Sequence, residues 1–153
     1  GAMMQICPSL SEINAALRAV MVETVKPFSS HIIIVPEVQE AAPDTAKILI
    51  LQAFKPEIVS GAELGGRAGH SRRGGNYLIT LSVPKGDKVK MDQAWAISGD
   101  LEANFRMLEL SSPNGAMFWT DDPYISNSGI TPDNRMSLLV TVPWVAWTGG
   151  EGA

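Results

Sequence analysis

The stretch Asn76–Pro84 constrains the fold more than any other. Its residues alternate, so that Tyr77, Ile79, Leu81 and Val83 share one face and Leu78, Thr80 and Ser82 the other, as successive side chains of an extended chain must. Pro84-Lys85-Gly86-Asp87 reads as a turn. Beyond it Met91, Trp95, Leu101, Phe105 and Leu108 recur at helical spacing, which predicts a helix over about Lys90–Leu108 that buries them. Gly99 weakens that helix by about 1 kcal/mol relative to alanine, so a break is expected near Ser98–Asp100.

The flanking elements follow from similar signals. Ser9-Leu10-Ser11-Glu12 has the spacing of a capping box. Leu10, Ile13, Leu17, Val20, Met21 and Val25 then repeat with a helical period until Pro27, which pushes its predecessor out of α space. A helix over Leu10–Lys26 results. His31–Val35 is β-branched and stopped by Pro36, hence a strand. Lys47–Phe54 is apolar on both faces and reads as a central strand. Residues 56–75 hold six glycines among Arg67, His70, Arg72 and Arg73 and read as a long mobile loop. Pro113–Asp133 is polar and turn-rich, with Trp119 and Tyr124 as anchors. Met136–Trp147 is the last strand, and Pro143 places part of it at an edge or bulge, because proline cannot donate a ladder hydrogen bond.

These elements predict an α+β fold, with a mainly antiparallel sheet of about four to five strands and two principal helices on one face. With 153 residues, 45% of them apolar and 18% charged, one globular domain over residues 4–148 is expected. Gly1-Ala2-Met3 reads as a cloning scar and residues 149–153 as a flexible tail.

Chemistry is sparse. The net charge of −4 argues against a mainly nucleic-acid-directed role. A single cysteine, Cys7, excludes an internal disulfide and fits a reducing cytoplasm. No apolar run approaches the ~20 residues of a membrane-spanning helix. The two histidines, His31 and His70, lie in no metal-ligand motif, and Asp121-Asp122 before Pro123 reads as a solvated turn. His70 and Ser71 are adjacent, a placement that seldom yields a catalytic triad, and no nucleophile elbow occurs. No enzyme activity and no cofactor are expected. The Gly65–Gly75 run lacks the Gly-Lys-Ser/Thr ending of a phosphate-binding loop and precedes a strand. It reads as a solvated loop, as a loop touching a nucleic-acid backbone through its arginines, or, the favoured functional reading, as a protein-contact loop whose arginines pair with a neighbour's carboxylates. Trp95 reads as core. Trp144 and Trp147 flank the edge-suspect part of the last strand and read equally as interface anchors or as buried residues.

The order of elements, together with the segment Arg73-Gly74-Gly75-Asn76-Tyr77-Leu78-Ile79-Thr80-Leu81-Ser82-Val83-Pro84-Lys85-Gly86 directly before a helix and a closing Val140-Thr141-Val142 strand, resembles the tail terminator proteins of long-tailed phages and related minor tail proteins. The resemblance spans residues 9–147. It implies a structural protein of the virion tail, assembled in the cytoplasm of a bacterial host. Such a protein forms a hexameric ring on the tail tube, stops tube polymerisation and offers the head a surface to join. The implied partners are other copies of the chain, the major tail tube protein and a head completion or connector protein, with DNA only in transit and no membrane. A ring needs a heterologous interface, of about 1,600 Å² for a contact of standard size. The expected contact residues are Arg67, His70, Arg72, Arg73, Trp144 and Trp147. Competing readings are another head–tail joining or neck protein and a small ligand-binding or hydrolytic domain using the Gly/Arg-rich loop.

Overall fold

The computed structural model describes residues 8–36, 45–62, 71–111, 117–130 and 134–148. Helix α1 spans Leu10–Val25 and begins as expected. The Ser9 side chain accepts from the Glu12 N–H at 3.1 Å while the Glu12 carboxylate accepts from the Ser9 N–H at 3.0 Å, so two otherwise unpaired donors of the helix start are satisfied. Pro27 ends the α-helix in a single 3-10 turn over Lys26–Phe28. Strand β1 is Ile32–Ile34, β2 is Ile48–Ala62 and β3 is Ser71–Pro84. Asp87 caps helix α2, Lys88–Phe105, by accepting from the Lys90 N–H at 3.0 Å. Three short strands follow, β4 at Glu109–Ser111, β5 at Met117–Thr120 and β6 at Tyr124–Ile130, and then β7 at Arg135–Thr148.

The class is α+β with two principal helices, but the sheet is larger and less uniform than about four to five antiparallel strands. Among the described residues it has seven strands in the order β1-β2-β3-β7-β5-β4, with β6 also on β7. β1 runs parallel to β2, pairing Ile32, Ile33 and Ile34 with Ile48, Leu49 and Ile50. The chain therefore crosses back between these two strands instead of turning as a hairpin. Of the additional strands, β5 and β6 come from Pro113–Asp133, the segment read as turns, and β4 lies just before it. Each is short, and β6 (Tyr-Ile-Ser-Asn-Ser-Gly-Ile) is too polar to carry a clear alternation.

The expected loop over residues 56–75 is also corrected at both ends. β2 continues to Ala62 and β3 begins at Ser71, five residues before the alternating run. Pairing explains this. Residues 71–76 are held by β2 on one side and by β7 on the other, in unbroken register from Ser71↔Thr148 to Pro84↔Arg135. Two-sided pairing overrides the low strand propensity of Gly74 and Gly75. Residues 63–70, with Arg67 and His70, lie outside the described residues.

The core lies between the helices and one face of the sheet. Ile13, Leu17 and Met21 of α1, with Ala94, Ile97, Leu101 and Phe105 of α2, meet Tyr77, Ile79, Leu81 and Val83 of β3 and Leu138, Val140 and Val142 of β7. Burying a side chain of this size is worth about 1.5–3 kcal/mol. Thr24 and Asn104 join the two helices through a 3.0 Å hydrogen bond. α2 is continuous through Gly99, where a Cβ would meet nothing within 4 Å. It ends three residues before the expected Leu108, at Phe105, and Met107 follows with a left-handed φ of 48°.

Pro143 proves to be an interior residue of the sheet. β3 lies on one side of β7, and on the other side β5 ends at the Thr120↔Trp144 pair and β6 begins at Tyr124↔Thr141. The Pro143 carbonyl accepts from the Asp121 N–H in the gap between those two strands. The N–H and C=O of one strand residue point to the same side, so the donor that proline lacks would have faced that gap, where no ladder partner is lost.

Candidate functional site

The residues expected to make contacts gather, as far as they are described, at one end of the sheet. There Arg72 pairs with Trp147 and Arg73 with Ala146 across the β3–β7 ladder. The side chains of Arg72 and Trp147 lie outside the described atoms. Arg73 is half-buried and makes no ion pair among the described residues.

Trp144 takes the buried of its two readings. It is 3% exposed, and its ring stacks on Phe54 with centroids 5.4 Å apart and planes 12° from parallel. Phe54 lies opposite Tyr77 and Trp144 opposite Gly75, so the stack crosses β3 where no side chain intervenes. Trp144 is therefore excluded as an exposed anchor, because its face is occupied within the subunit. Its indole N–H is buried without a hydrogen-bond partner among the described residues. The Tyr77 hydroxyl donates to the Gln52 side-chain oxygen on the same sheet face.

Trp95, expected in the core, is 46% exposed. The buried stripe of α2 runs through Ala94, Ile97, Ser98, Leu101 and Phe105, which turns Trp95 about 100° away from the sheet. With Met91, Val83, Pro84 and Met136 it lines a shallow depression of about 230 Å³. Trp119 and Tyr124 are 36% and 56% exposed. They lie opposite Val145 and Thr141, on the face of the sheet away from the helices. A second depression, of about 370 Å³, opens between α1 and β1 and is lined by Val22, Val25, Ile32 and Ile34, with Glu23, Lys26 and Ser29 at its rim.

No group of three or more His, Cys, Asp or Glu side chains that could hold a metal occurs among the described residues. Asp121 uses a carboxylate oxygen to accept from the Asp122 N–H at 2.8 Å, and both residues are exposed, an ordinary turn arrangement. No described helix is long and apolar enough to cross a membrane. The described surface carries exposed apolar and aromatic groups, among them Trp95, Trp119, Tyr124 and Ile130.

Arg135 carries a role that the sequence did not announce. It is 7% exposed, and its guanidinium donates to the Ser82 hydroxyl at 2.7 Å and to the carbonyls of Thr45, Lys47 and Ser82 at 2.8, 2.8 and 3.0 Å. It ties the start of β7 to β3 and to the segment entering β2. An arginine at the start of a strand has no local pattern that reveals such partners, which lie 53 to 90 residues away.

No family model and no curated protein matches the chain. Among solved structures, one that carries only a sequence identifier as its name superposes with a TM-score of 0.65 at 16% identity. The match covers 90% of this chain and 95% of that one, and at this identity it shows a shared fold.

Proposed function

We propose that the chain is a structural subunit of a phage tail terminator, assembling into a hexameric ring that caps the tail tube, stops its growth and presents a surface to the head. The observation that carries this reading is the segment β3–turn–α2 with β7 alongside it. β3 runs antiparallel to both β2 and β7 and turns at Lys85-Gly86 into α2, in the order through which the sequence resembles the tail terminators. The character of the surface supports assembly over catalysis. Val89, Trp95, Met107, Tyr124 and Ile130 are all more than 45% exposed, apolar groups that neighbouring subunits in the ring would cover. Arg72 and Arg73, with Arg67 and His70, are the residues through which the ring would touch the tube or a neighbouring copy, pairing with carboxylates there.

The test is to add the purified chain to its tail tube protein during polymerisation and measure tube lengths by electron microscopy. A terminator gives short, capped tubes bearing a six-fold ring at one end. Tubes that grow as long as they do without the chain would overturn the reading. Replacing Arg67, His70, Arg72 and Arg73 together by Ser should abolish capping while the thermal transition stays in place.

A further inference from the structure

Among the described residues β1 pairs with β2 alone and β6 with β7 alone, so the sheet has a free edge on each flank. Free edges are normally protected by charged side chains, proline or brevity, because their unpaired N–H and C=O groups template pairing with another chain. The third free strand, β4, follows that rule through its exposed Glu109; β1 and β4 are equally short, three residues each. β1 (Ile-Ile-Ile) and β6 (Tyr-Ile-Ser-Asn-Ser-Gly-Ile) carry no charge at all.

The two edges also complement each other. Ile130 of β6 is 57% exposed and pairs with Met136. Met136 shares its sheet face with Leu138 and Val140, so Ile130 projects on the helix-covered side. The depression of about 370 Å³ beside β1 opens on that same side, since Ile32 and Ile34 in its wall pair with the core residues Ile48 and Ile50. Faces are continuous across a shared sheet. A β6 strand laid on the β1 edge therefore brings Ile130 to the groove with its apolar walls Val22, Val25, Ile32 and Ile34.

We infer that β6 of one copy adds to the free edge of β1 in a second copy and seats Ile130 in the groove between β1 and α1. The contact is heterologous, because it joins opposite flanks of one sheet. Every copy then offers β1 to one neighbour and β6 to the other, and rotation closes the chain of contacts into a ring. Pairing β1 with β1 or β6 with β6 would stop at two copies and leave the other flank open. The inference rests on the self-association proposed above, and the experiment separates the two.

Sedimentation velocity of the full chain over a concentration series reads association. Ile130→Asp is expected to weaken it at least about tenfold with no change in thermal midpoint, since Ile130 is exposed. In a Cys7→Ser background, chains carrying Ser29→Cys and chains carrying Ile130→Cys should form a disulfide dimer under mild oxidation only when mixed. Assembly of Ile130→Asp at wild-type strength, or cross-linking of Ile130→Cys chains with themselves, overturns the edge contact and leaves self-association standing. A wild-type chain that stays monomeric throughout the series overturns both.

Discussion

Arg135→Met should destabilise the fold by about 2–3 kcal/mol. Methionine keeps most of the apolar stem and its packing but removes every guanidinium donor. Hydrogen bonds from a charged donor are worth about 1.5–3 kcal/mol each, and a buried acceptor left unpaired costs about 1–3 kcal/mol. The carbonyls of Thr45 and Lys47 sit at a partly exposed rim and can take up water. The Ser82 hydroxyl and carbonyl are buried between β3 and β7 and cannot. Losing those two contacts, offset in part by no longer burying a cation, gives the figure stated. For a chain of this length about 1 kcal/mol corresponds to about 2–4 °C, so the midpoint should fall by about 4–12 °C in differential scanning calorimetry. Arg135→Lys should recover little of this, because an ammonium cannot span the same fork of acceptors. Amide exchange at Ile48, which donates to the His31 carbonyl, should accelerate as the segment entering β2 loosens. A fall below about 3 °C, or full recovery in Arg135→Lys, would refute the argument that a planar multi-donor group holds this corner.

Three further outcomes are expected. In Gly75→Ala the new Cβ would lie 2.3 Å from the Lys55 carbonyl oxygen and 2.8 Å from the Pro56 Cα. Those are backbone atoms that cannot rotate away, so β2 and β3 must part locally, at a cost of about 1–3 kcal/mol in urea unfolding. Gly99→Ala should stabilise by about 0.5–1 kcal/mol in the same assay, since its Cβ meets nothing and alanine restricts the unfolded chain. Ser9→Ala removes the acceptor for the Glu12 N–H and should cost about 1 kcal/mol, visible as increased fraying of the first turn of α1 by amide exchange.

What the sequence revealed depended on whether the signal was local. The capping box at Ser9 and the alternation from Tyr77 to Val83 are written within one element, and the structure keeps both. The continuation of β2 to Ala62 and of β3 back to Ser71 is written in the partner strands, so residues rich in glycine look like loop unless the pairing of β2 with β3 and of β3 with β7 is known. Trp95 fell to the opposite error. It recurs at helical spacing with Met91, but Ala94 and Ile97 place the buried stripe about one residue off that line. Ala94 is too small to have weighed against a tryptophan in a pattern of apolar residues.

The candidate surface was the least legible part for a connected reason. A strand paired on one side only has little within its own chain to pattern it. β6 shows this: its serines, asparagine and glycine give a turn-like composition, and only the pairing of Tyr124–Ile130 with Met136–Thr141 makes it a strand. The bulge between Asn127 and Gly129, with Gly129 at φ 75°, resets its register so that Ile130 falls on the helix side. Without that extra residue Ile130 would point to the opposite face, because a one-residue slip inverts every side chain beyond it. The glycine that blurred the strand in the sequence is thus what aims Ile130 toward the side on which the groove of a second copy opens.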